Sequence, residues 1–309
     1  MFPFPTPTLP IRRPERAGHR VTVQGHSTLY FEAGQGPAVL LIHGNTATPR
    51  TWWRTMHDLS TTHRVIALAL PGYGDTSPLE EPEHHAMVSF ITAFLDELEV
   101  ECVAVVGDSL GGLYAGELAL AHPHRVSRLV LIDSAGLGRA MNPLLIAEAL
   151  IPPPIGEALV NLLSLPGWDI GRVLTYALIT RQPWRVRCHI WATQLRMSHS
   201  RTFLRTSLRA VQLNGGPMGQ RHVLTGRLPD IRVPTLIIWG LTDFEFPVYQ
   251  AFLAARRLPD GRVVVIPGAG HGSVLDCHEE IMDALGPFIR DWHRQDGPAP
   301  TDEEGDAAA

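Results

Sequence analysis

Six short runs of apolar residues recur along the chain, and glycine, proline or polar residues follow each of them. Runs of this length without alternating polar residues are typical of strands that are buried on both faces of a parallel sheet. Two earlier segments, His19–Gln24 and Thr28–Ala33, predict an antiparallel pair. The six apolar runs are Ala38–Ile42, Val65–Leu70, Cys102–Val106, Arg128–Ile132, Thr235–Trp239 and Arg262–Ile266.

Segments with helical spacing of apolar residues lie between several of these strands. Strands that alternate with helices predict an α/β fold with a mostly parallel central sheet, because parallel strands need a crossover connection. With the antiparallel pair included, we expect about eight strands and helices on both faces of the sheet. The predicted helices cover His84–Leu98, Leu110–Ala121, Pro247–Arg257 and Asp276–Arg294.

The alternation of strands and helices stops between Ile132 and Thr235. This stretch is rich in Leu, Ile, Ala and Trp at helical spacing, so we interpret it as a helical cap inserted over the sheet. The acidic C-terminal tail, rich in small residues, is predicted to be disordered. The expected organisation is a Pro-rich segment over 1–18, a core over 19–133 and 231–294, a helical cap over 134–230 and a disordered tail over 295–309.

The composition excludes several kinds of catalytic chemistry and one class of binding partner. Hydrophobic residues make up 45% of the 309 residues and charged residues 18%, as expected for a globular protein with a sizeable core. The sequence has no lysine, which excludes Schiff-base formation, a Ser–Lys dyad and a P-loop lysine. The formal net charge of -5 argues against a general nucleic-acid binder. The cap differs from the rest, since it holds eleven arginines against four acidic residues.

The cysteines and the N-terminal segment predict a cytoplasmic protein. Cys102, Cys188 and Cys277 are odd in number and widely spaced, which favours free thiols in a reducing compartment. The N-terminal segment is broken by prolines and has no apolar h-region, so no secretory signal is expected. No uncharged apolar run reaches the length of a membrane span, so none is expected either.

The strongest chemical signal is Gly107-Asp108-Ser109-Leu110-Gly111, which lies between a predicted strand and a predicted helix. In this G-x-S-x-G context the chain turns sharply, and the serine hydroxyl is exposed at the carboxyl edge of the sheet. Ser109 is therefore the candidate nucleophile. The alternative is a glycine-rich packing turn whose serine only caps the helix.

A serine nucleophile needs a general base, and the base needs a carboxylate that orients it. His271 lies among small residues in a loop after the last predicted strand, which makes it the candidate base. Asp243 follows the preceding strand and completes the chain order Ser, Asp, His. Asp133 also follows a strand and is the alternative acid.

Acyl transfer also needs hydrogen-bond donors for the oxyanion. The backbone N–H of Leu110, directly after the nucleophile, is one candidate. The second donor is expected in the loop after Ala38–Ile42, and we assign it to the backbone N–H of Asn45. His43 in the same loop is interpreted as a structural residue that braces the loop.

Other reactive residue types give weaker signals. The pairs His84 with His85 and His122 with His124 match no zinc template, so neither a metal nor a cofactor is expected. Cys277 lacks the context of a nucleophile turn and is interpreted as an ordinary helix residue.

Two groups of bulky residues allow two interpretations each. Arg181, Arg185 and Arg187 cluster beside Trp184 in the cap. They fit either a pocket for a substrate carboxylate or, more commonly, a solvated helix face. The Trp52-Trp53 pair fits either a pocket wall or, by default, core packing.

These motifs together resemble those of the α/β-hydrolase superfamily, in the branch of serine hydrolases with a helical cap. The resemblance covers about residues 19–294 and implies the fold and the triad chemistry described above. It rests on His43-Gly44-Asn45, Pro71-Gly72-Tyr73-Gly74-Asp75-Thr76-Ser77, Gly107-Asp108-Ser109-Leu110-Gly111-Gly112, Trp239-Gly240-Leu241-Thr242-Asp243 and Gly270-His271. The Pro71–Ser77 stretch resembles the turn after the family's fourth strand and is interpreted as structural.

The resemblance also separates classes within the superfamily. Haloalkane dehalogenases and epoxide hydrolases carry Asp at the nucleophile position, where this chain has Ser109. Hydrolases that split carbon–carbon bonds in ring-fission products commonly have Trp after the catalytic His and a longer glycine-rich oxyanion loop. Here Gly272 follows His271, which weakens the carbon–carbon interpretation.

The sequence therefore predicts a serine hydrolase that forms an acyl-enzyme on a carboxylic ester of small to medium size, without a cofactor. A carbon–carbon hydrolase of the meta-cleavage-product type stays open. So do acyl transfer to an acceptor other than water and a catalytically silent, ligand-binding member of the superfamily. A small-molecule acyl substrate, and not nucleic acid, is the expected partner.

Overall fold

A single eight-stranded sheet forms the centre of the protein. The computed structural model describes residues 18–80, 82–165, 180–186, 192, 195–197 and 199–290. The strands are β1 (His19–Val23), β2 (His26–Ala33), β3 (Ala38–Ile42), β4 (Arg64–Leu68), β5 (Val103–Asp108), β6 (Val126–Ile132), β7 (Thr235–Gly240) and β8 (Gly261–Ile266).

The strand order is β1-β2-β4-β3-β5-β6-β7-β8. β2 runs antiparallel to both of its neighbours, and the remaining strand pairs are parallel. The predicted fold class is therefore confirmed, including the antiparallel pair at the start of the chain. Because the strands from β3 to β8 are parallel, their carboxyl ends meet at one edge of the sheet.

The helices follow the strands, as the alternating pattern predicts. They are α1 (Trp53–Leu59), α2 (His84–Glu97), α3 (Leu110–Ala121), α4 (Pro143–Ala149), α5 (Pro153–Leu163), α6 (Arg201–Asn214), α7 (Tyr249–Ala255), α8 (Ser273–Asp276) and α9 (His278–Arg290). A two-residue hairpin, Gly215–Gly216 with Gly219–Gln220, follows α6.

Two helix predictions differ from the structure. α1 has no counterpart in the prediction, because a 3₁₀ turn over Pro49–Trp52 leads into it and leaves only seven residues of α-helix. The sequence pattern predicts the final helix as one segment from Asp276. In the structure it is α8 and α9, with Cys277 in the break between them. The predicted tail over 295–309, most of the segment over 1–18 and the end of the last predicted helix lie outside the described residues.

The sheet is covered on both faces. Side chains alternate along each strand, so Leu40 and Ile42 of β3 join the hydrophobic cluster on one face, with Phe90 of α2 and Leu113 of α3. Leu41 of the same strand joins a second hydrophobic cluster, on the other face. That second cluster includes Trp52, Met56, Ile281, Leu285 and Phe288 from the 3₁₀ turn, α1 and α9. Trp52 is fully buried, as the core-packing interpretation expected.

The chain between β6 and β7 contains α4, α5 and α6. α6 is amphipathic, with Phe203 and Ser207 buried and its arginines Arg201, Arg205 and Arg209 exposed. Arg205 forms a two-point ion pair with Glu157 of α5, with both N–O distances 2.7 Å. Part of the positive charge of this region is thus a solvated helix face.

Within the described residues, no individual helix has both the length and the apolar composition of a membrane span. α4 and α5 meet that test only when they are taken together, and the pair is bent by 107°.

We predict that Gly111→Ala destabilises the protein much more than Gly226→Ala. A Cβ at Gly111 would lie 2.3 Å from the carbonyl oxygen of Ile42, so α3 would have to move away from β3. We expect the free energy of unfolding in urea to fall by more than about 2 kcal/mol. Gly226 has open space around its Cβ position, and its substitution should change that free energy by less than about 1 kcal/mol. Equal effects would contradict the packing argument.

Candidate active site

Ser109 lies at the sharp turn between β5 and α3. Its φ of 51° and ψ of -117° are unfavourable for a residue with a side chain. The turn is held by the backbone N–H of Ser109, which donates to the carbonyl of Ile132 at 2.9 Å. A Cβ at Gly107 would lie 2.4 Å from the carbonyl oxygen of Gly111, so only glycine fits there. The strained turn presents the Ser109 side chain to a cavity at the carboxyl edge of the sheet.

His271 connects the candidate nucleophile to the candidate acid. Its Nε2 lies 2.9 Å from Oγ of Ser109, and its Nδ1 lies 2.9 Å from Oδ2 of Asp243. Oδ1 of Asp243 accepts the backbone N–H groups of Glu245 at 2.8 Å and Phe246 at 3.1 Å. The structure therefore brings together, within hydrogen-bond distance, the three side chains singled out from the sequence.

The surroundings of His271 favour its charged form. Burial works against a charge on the ring, but the negative charges of Asp243 and Glu245 outweigh it. The pKa of His271 is therefore held well above its usual value. A ring with this environment accepts a proton readily and stabilises the resulting imidazolium.

Asp133, the alternative acid, is fully buried but serves other groups. Its Oδ1 accepts the backbone N–H of Gly240 at 2.7 Å, and its Oδ2 accepts the hydroxyl of Ser273. Burial, together with the nearby Asp243, raises the pKa of Asp133 well above its usual value. Asp133 thus joins the ends of β6 and β7 to the start of α8, while Asp243 is the carboxylate bonded to the imidazole.

The two candidate oxyanion donors, Asn45 and Leu110, line the same cavity as Ser109. Among the residues that the structure describes, neither backbone N–H has a hydrogen-bond acceptor. The Asn45 side chain fixes its loop: Oδ1 accepts the hydroxyl of Tyr73 at 2.6 Å, and Nδ2 donates to the carbonyl of Ser207 at 3.2 Å. Oxyanion stabilisation requires such donors beside the nucleophile, so both residues stay candidates for this role.

His43 stabilises this loop through two hydrogen bonds of its ring. It is fully buried, its Nδ1–H donates to the carbonyl of Gly44 at 2.8 Å, and its Nε2 accepts the N–H of Leu70 at 3.2 Å. Burial lowers the pKa of His43 to about 4, so the ring is neutral. Its structural role agrees with the sequence interpretation.

Sequence reasoning missed two residues near the site. Tyr73 comes from the turn after β4 and donates a hydrogen bond to Asn45 in the loop after β3 (His43–Thr46), which we call the oxyanion loop. Glu245 places its Oε2 3.1 Å from Nε2 of His271, with a side chain only 16% exposed. The sequence places Glu245 two residues after the candidate acid Asp243, which indicates that it lies near the site. A sequence pattern does not show in which direction a loop side chain points.

The loop that carries Asp243 and Glu245 is attached to the start of α4. The backbone N–H of Asn142 donates to the carbonyl of Glu245 at 2.9 Å, and Nδ2 of Asn142 donates to the carbonyl of Phe244 at 3.0 Å. The chain between β6 and β7 therefore contacts both the acid loop, through Asn142, and the oxyanion loop, through Ser207.

The cavity above Ser109 has a volume of about 660 Å³. Its described lining is mostly apolar, and α4, α5 and α6 contribute part of it. Three carboxyl side chains also line it, those of Asp108, Glu148 and Glu245. Burial raises the pKa values of Asp108 and Glu148 to about 7 each, and burial also raises that of Glu245. Among the described lining residues there is no arginine.

The cap arginines singled out from the sequence lie elsewhere. Arg185 pairs with Glu279 and Glu280 of α9, at 2.8 and 2.9 Å. Arg181 is exposed, Trp184 is 77% exposed, and Arg187 lies outside the described residues. Those that the structure describes thus belong to the surface.

The remaining candidates form no reactive centre. In the part of the chain that the structure describes, no group of three or more His, Cys, Asp or Glu side chains could hold a metal ion. Cys277 is fully buried, and burial raises the pKa of its thiol to about 12, so it stays protonated.

A model of the alpha/beta hydrolase family matches residues 39–284. Because this match covers most of the chain and the sheet has the corresponding topology, the chain belongs to the alpha/beta hydrolase family. Solved structures with a similar fold include an esterase and a meta-cleavage product hydrolase.

Three relatives illustrate the range. An uncharacterised protein of Mycobacterium tuberculosis is 30% identical over 283 residues, which is 87% of this chain and 80% of the relative. The 2-hydroxy-6-oxononadienedioate/2-hydroxy-6-oxononatrienedioate hydrolase of Comamonas testosteroni is 26% identical over 253 residues, 78% of this chain and 83% of the relative. A thermophilic esterase of Thermogutta terrifontis superposes with a TM-score of 0.72 at 22% identity, covering 89% of this chain and 99% of the esterase.

We predict that the His43 ring stays neutral, with its proton on Nδ1, at about pH 5.5, where an ordinary histidine is mostly charged. Side-chain ¹⁵N NMR measures both the charge and the tautomer, and the His43→Gln variant identifies the signal. A charged ring at that pH would contradict the bracing geometry.

Proposed function

We propose that this protein is a serine hydrolase that cleaves a carboxylic ester of small to medium size through an acyl-enzyme. The observation that carries the proposal is the continuous pair of hydrogen bonds from Ser109 through His271 to Asp243. A hydroxyl, an imidazole and a carboxylate in this order are the parts of a nucleophilic triad.

In the acylation step, Oγ of Ser109 attacks the ester carbonyl carbon while Nε2 of His271 takes the hydroxyl proton. Asp243 keeps the ring oriented and stabilises the imidazolium. The backbone N–H groups of Asn45 and Leu110 donate to the oxyanion, which contributes about 3 to 4 kcal/mol per donor in comparable sites. The tetrahedral intermediate then collapses, and the alcohol leaves with the proton from His271.

In the deacylation step, His271 takes a proton from water, and the resulting hydroxide adds to the acyl carbon. The same two N–H groups hold the second oxyanion. Collapse of this intermediate returns the proton to Ser109 and releases the acid. None of these reaction steps needs a metal or an organic cofactor.

The cavity supports a neutral, largely apolar substrate. Its described lining is mostly apolar, and its ionisable groups are His271, whose charge is already balanced by Asp243, and the carboxyls of Asp108, Glu148 and Glu245. A substrate carboxylate would lie beside these groups without an arginine among the described lining residues, which is electrostatically unfavourable. We propose that the cap over 134–230 closes this cavity around the substrate.

A carbon–carbon hydrolase is the second candidate, because relatives such as that of Comamonas testosteroni carry this activity in their names. The same triad serves such a reaction. The substrates in those names are carboxylates, however, and the acidic cavity favours the ester.

We predict that a fluorophosphonate probe labels the wild type and that Ser109→Ala abolishes labelling. The same variant should reduce the turnover of an aryl ester by roughly 10⁴-fold or more. Ser89→Ala, on the exposed side of α2, is the matched control and should label normally. Absence of labelling in the wild type would instead favour a ligand-binding member of the family.

We predict that a neutral aryl ester is a better substrate than its carboxylate-terminated counterpart. 4-Nitrophenyl hexanoate and the 4-nitrophenyl monoester of adipic acid have equal chain lengths and differ in terminal charge. We expect kcat/KM to be at least about tenfold higher for the neutral ester, because one unpaired charge near a carboxylate costs more than 1 kcal/mol. The competing reaction is measured as the loss of absorbance of a phenyl-substituted hydroxy-oxo-hexadienoate. If this compound is turned over faster than both esters, the carbon–carbon reaction is favoured.

A further inference from the structure

Two different oxygen atoms lie close to the same ring nitrogen of His271. Oγ of Ser109 is 2.9 Å from Nε2 and forms an aligned hydrogen bond with it. Oε2 of Glu245 is 3.1 Å from the same atom and makes an ion-pair contact. A triad needs only the first of these contacts, so Glu245 adds a second carboxylate to the ring.

The two carboxylates contact opposite nitrogens. Asp243 meets Nδ1, and Glu245 meets Nε2, the atom through which the proton passes to and from Ser109. A negative charge at Nε2 favours the ring that carries a proton over the neutral ring. Only the neutral ring is able to accept the proton of Ser109.

This contact has opposite effects at two stages. In the resting protein it stabilises the imidazolium, which is inactive as a base, and so reduces activity at low pH. In the transition state the imidazolium is the product of the proton transfer, and the same carboxylate then stabilises it. By this argument Glu245 lowers the reaction rate at low pH and accelerates the proton transfer from Ser109 to His271 at high pH.

We propose that Glu245 is a positioning residue that acts through His271. Its carboxylate pairs with the protonated ring, so a higher pH is needed before the neutral ring is available as a base. Once the ring is neutral, the same carboxylate accelerates the transfer of the proton from Ser109 to His271. This inference rests on the proposed serine hydrolase function.

The other ionisable groups around Glu245 and His271 belong to several elements. Asp243 lies on the loop of Glu245, His271 itself on the loop after β8, Asp108 at the end of β5, Asp133 at the end of β6 and Glu148 on α4. Asp243 and Asp133 also favour the protonated ring, so their contribution stays when Glu245 alone is changed. Among these carboxyls, Glu245 is the one in contact with Nε2.

The test is the pH dependence of inactivation by a fluorophosphonate, which reports the base directly and needs no knowledge of the natural substrate. The second-order rate constant is measured for the wild type and for Glu245→Gln, which keeps the shape of the side chain and removes its charge. We expect the acid limb of the variant to move to lower pH. Below the limb, at pH values where Glu245 is still ionised, the variant should then react at least about threefold faster than the wild type, since each unit of displacement is a factor of ten.

On the alkaline plateau we expect the reverse order. There the ring is neutral in both proteins, and the variant lacks one carboxylate that stabilises the developing imidazolium, so it should react several-fold more slowly. The two pH profiles should therefore cross. A purely structural role for Glu245 would lower the rate at every pH and leave the limb in place.

Three variants complete the design. Glu245→Asp keeps the charge and should restore the limb toward its wild-type position. Glu245→Met provides a second uncharged side chain if Glu245→Gln does not fold. Glu157→Gln removes an exposed carboxylate that pairs with Arg205 on the cap, and its profile should coincide with that of the wild type.

The outcomes are distinct. Crossing profiles support the inference. Coincident limbs, or an equal displacement in Glu157→Gln, overturn it while the labelling of Ser109 leaves the proposed function intact. Absence of inactivation in both the wild type and Glu245→Gln across the whole pH range overturns the proposed function and the inference together.

Discussion

The site depends on one buried imidazole that is surrounded by carboxyl groups. Asp243 bonds to Nδ1 of His271, Glu245 contacts Nε2, and Asp133 and Asp108 lie near enough to influence the ring electrostatically. Burying several carboxyls together is unfavourable unless a positive charge or protonation offsets it. A proton on the ring provides that offset, and the same electrostatics that stabilise the folded site also set the acid–base chemistry of the ring.

The sheet makes this concentration of charge possible. β5, β6, β7 and β8 end side by side, and each strand is followed by a loop that contributes at least one of the groups around His271. The close approach of α3 to the end of β3, where Gly111 meets Ile42, brings the turn at Ser109 against the oxyanion loop. The geometry of the reactive groups is therefore a property of backbone packing, which is rigid compared with side-chain rotation.

The sequence predicted the parts of this arrangement that backbone rules determine. Ser109, Asp243 and His271 each follow an apolar strand, and in a parallel sheet the ends of such strands converge. Glu245 and Tyr73 were missed because their contributions depend on the direction of a side chain within a loop. α1 was missed because it is short and begins from a 3₁₀ turn, where the helical period is too brief to recognise. The volume and acidity of the cavity depend on how the helices between β6 and β7 pack together, which periodicity does not specify.

The two asparagine attachments described above have a consequence for the exchange of parts between related enzymes. Asn142 holds the backbone of the acid loop, and Asn45 is held by the backbone of α6, so the helices above the cavity and the two loops beneath it form one mechanical unit. A foreign set of helices grafted onto this sheet would remove these hydrogen bonds to both loops unless its sequence supplied equivalent groups. A chimaera of this protein that is designed with a different cavity therefore has to keep these hydrogen-bonding groups together with the helices that line the cavity.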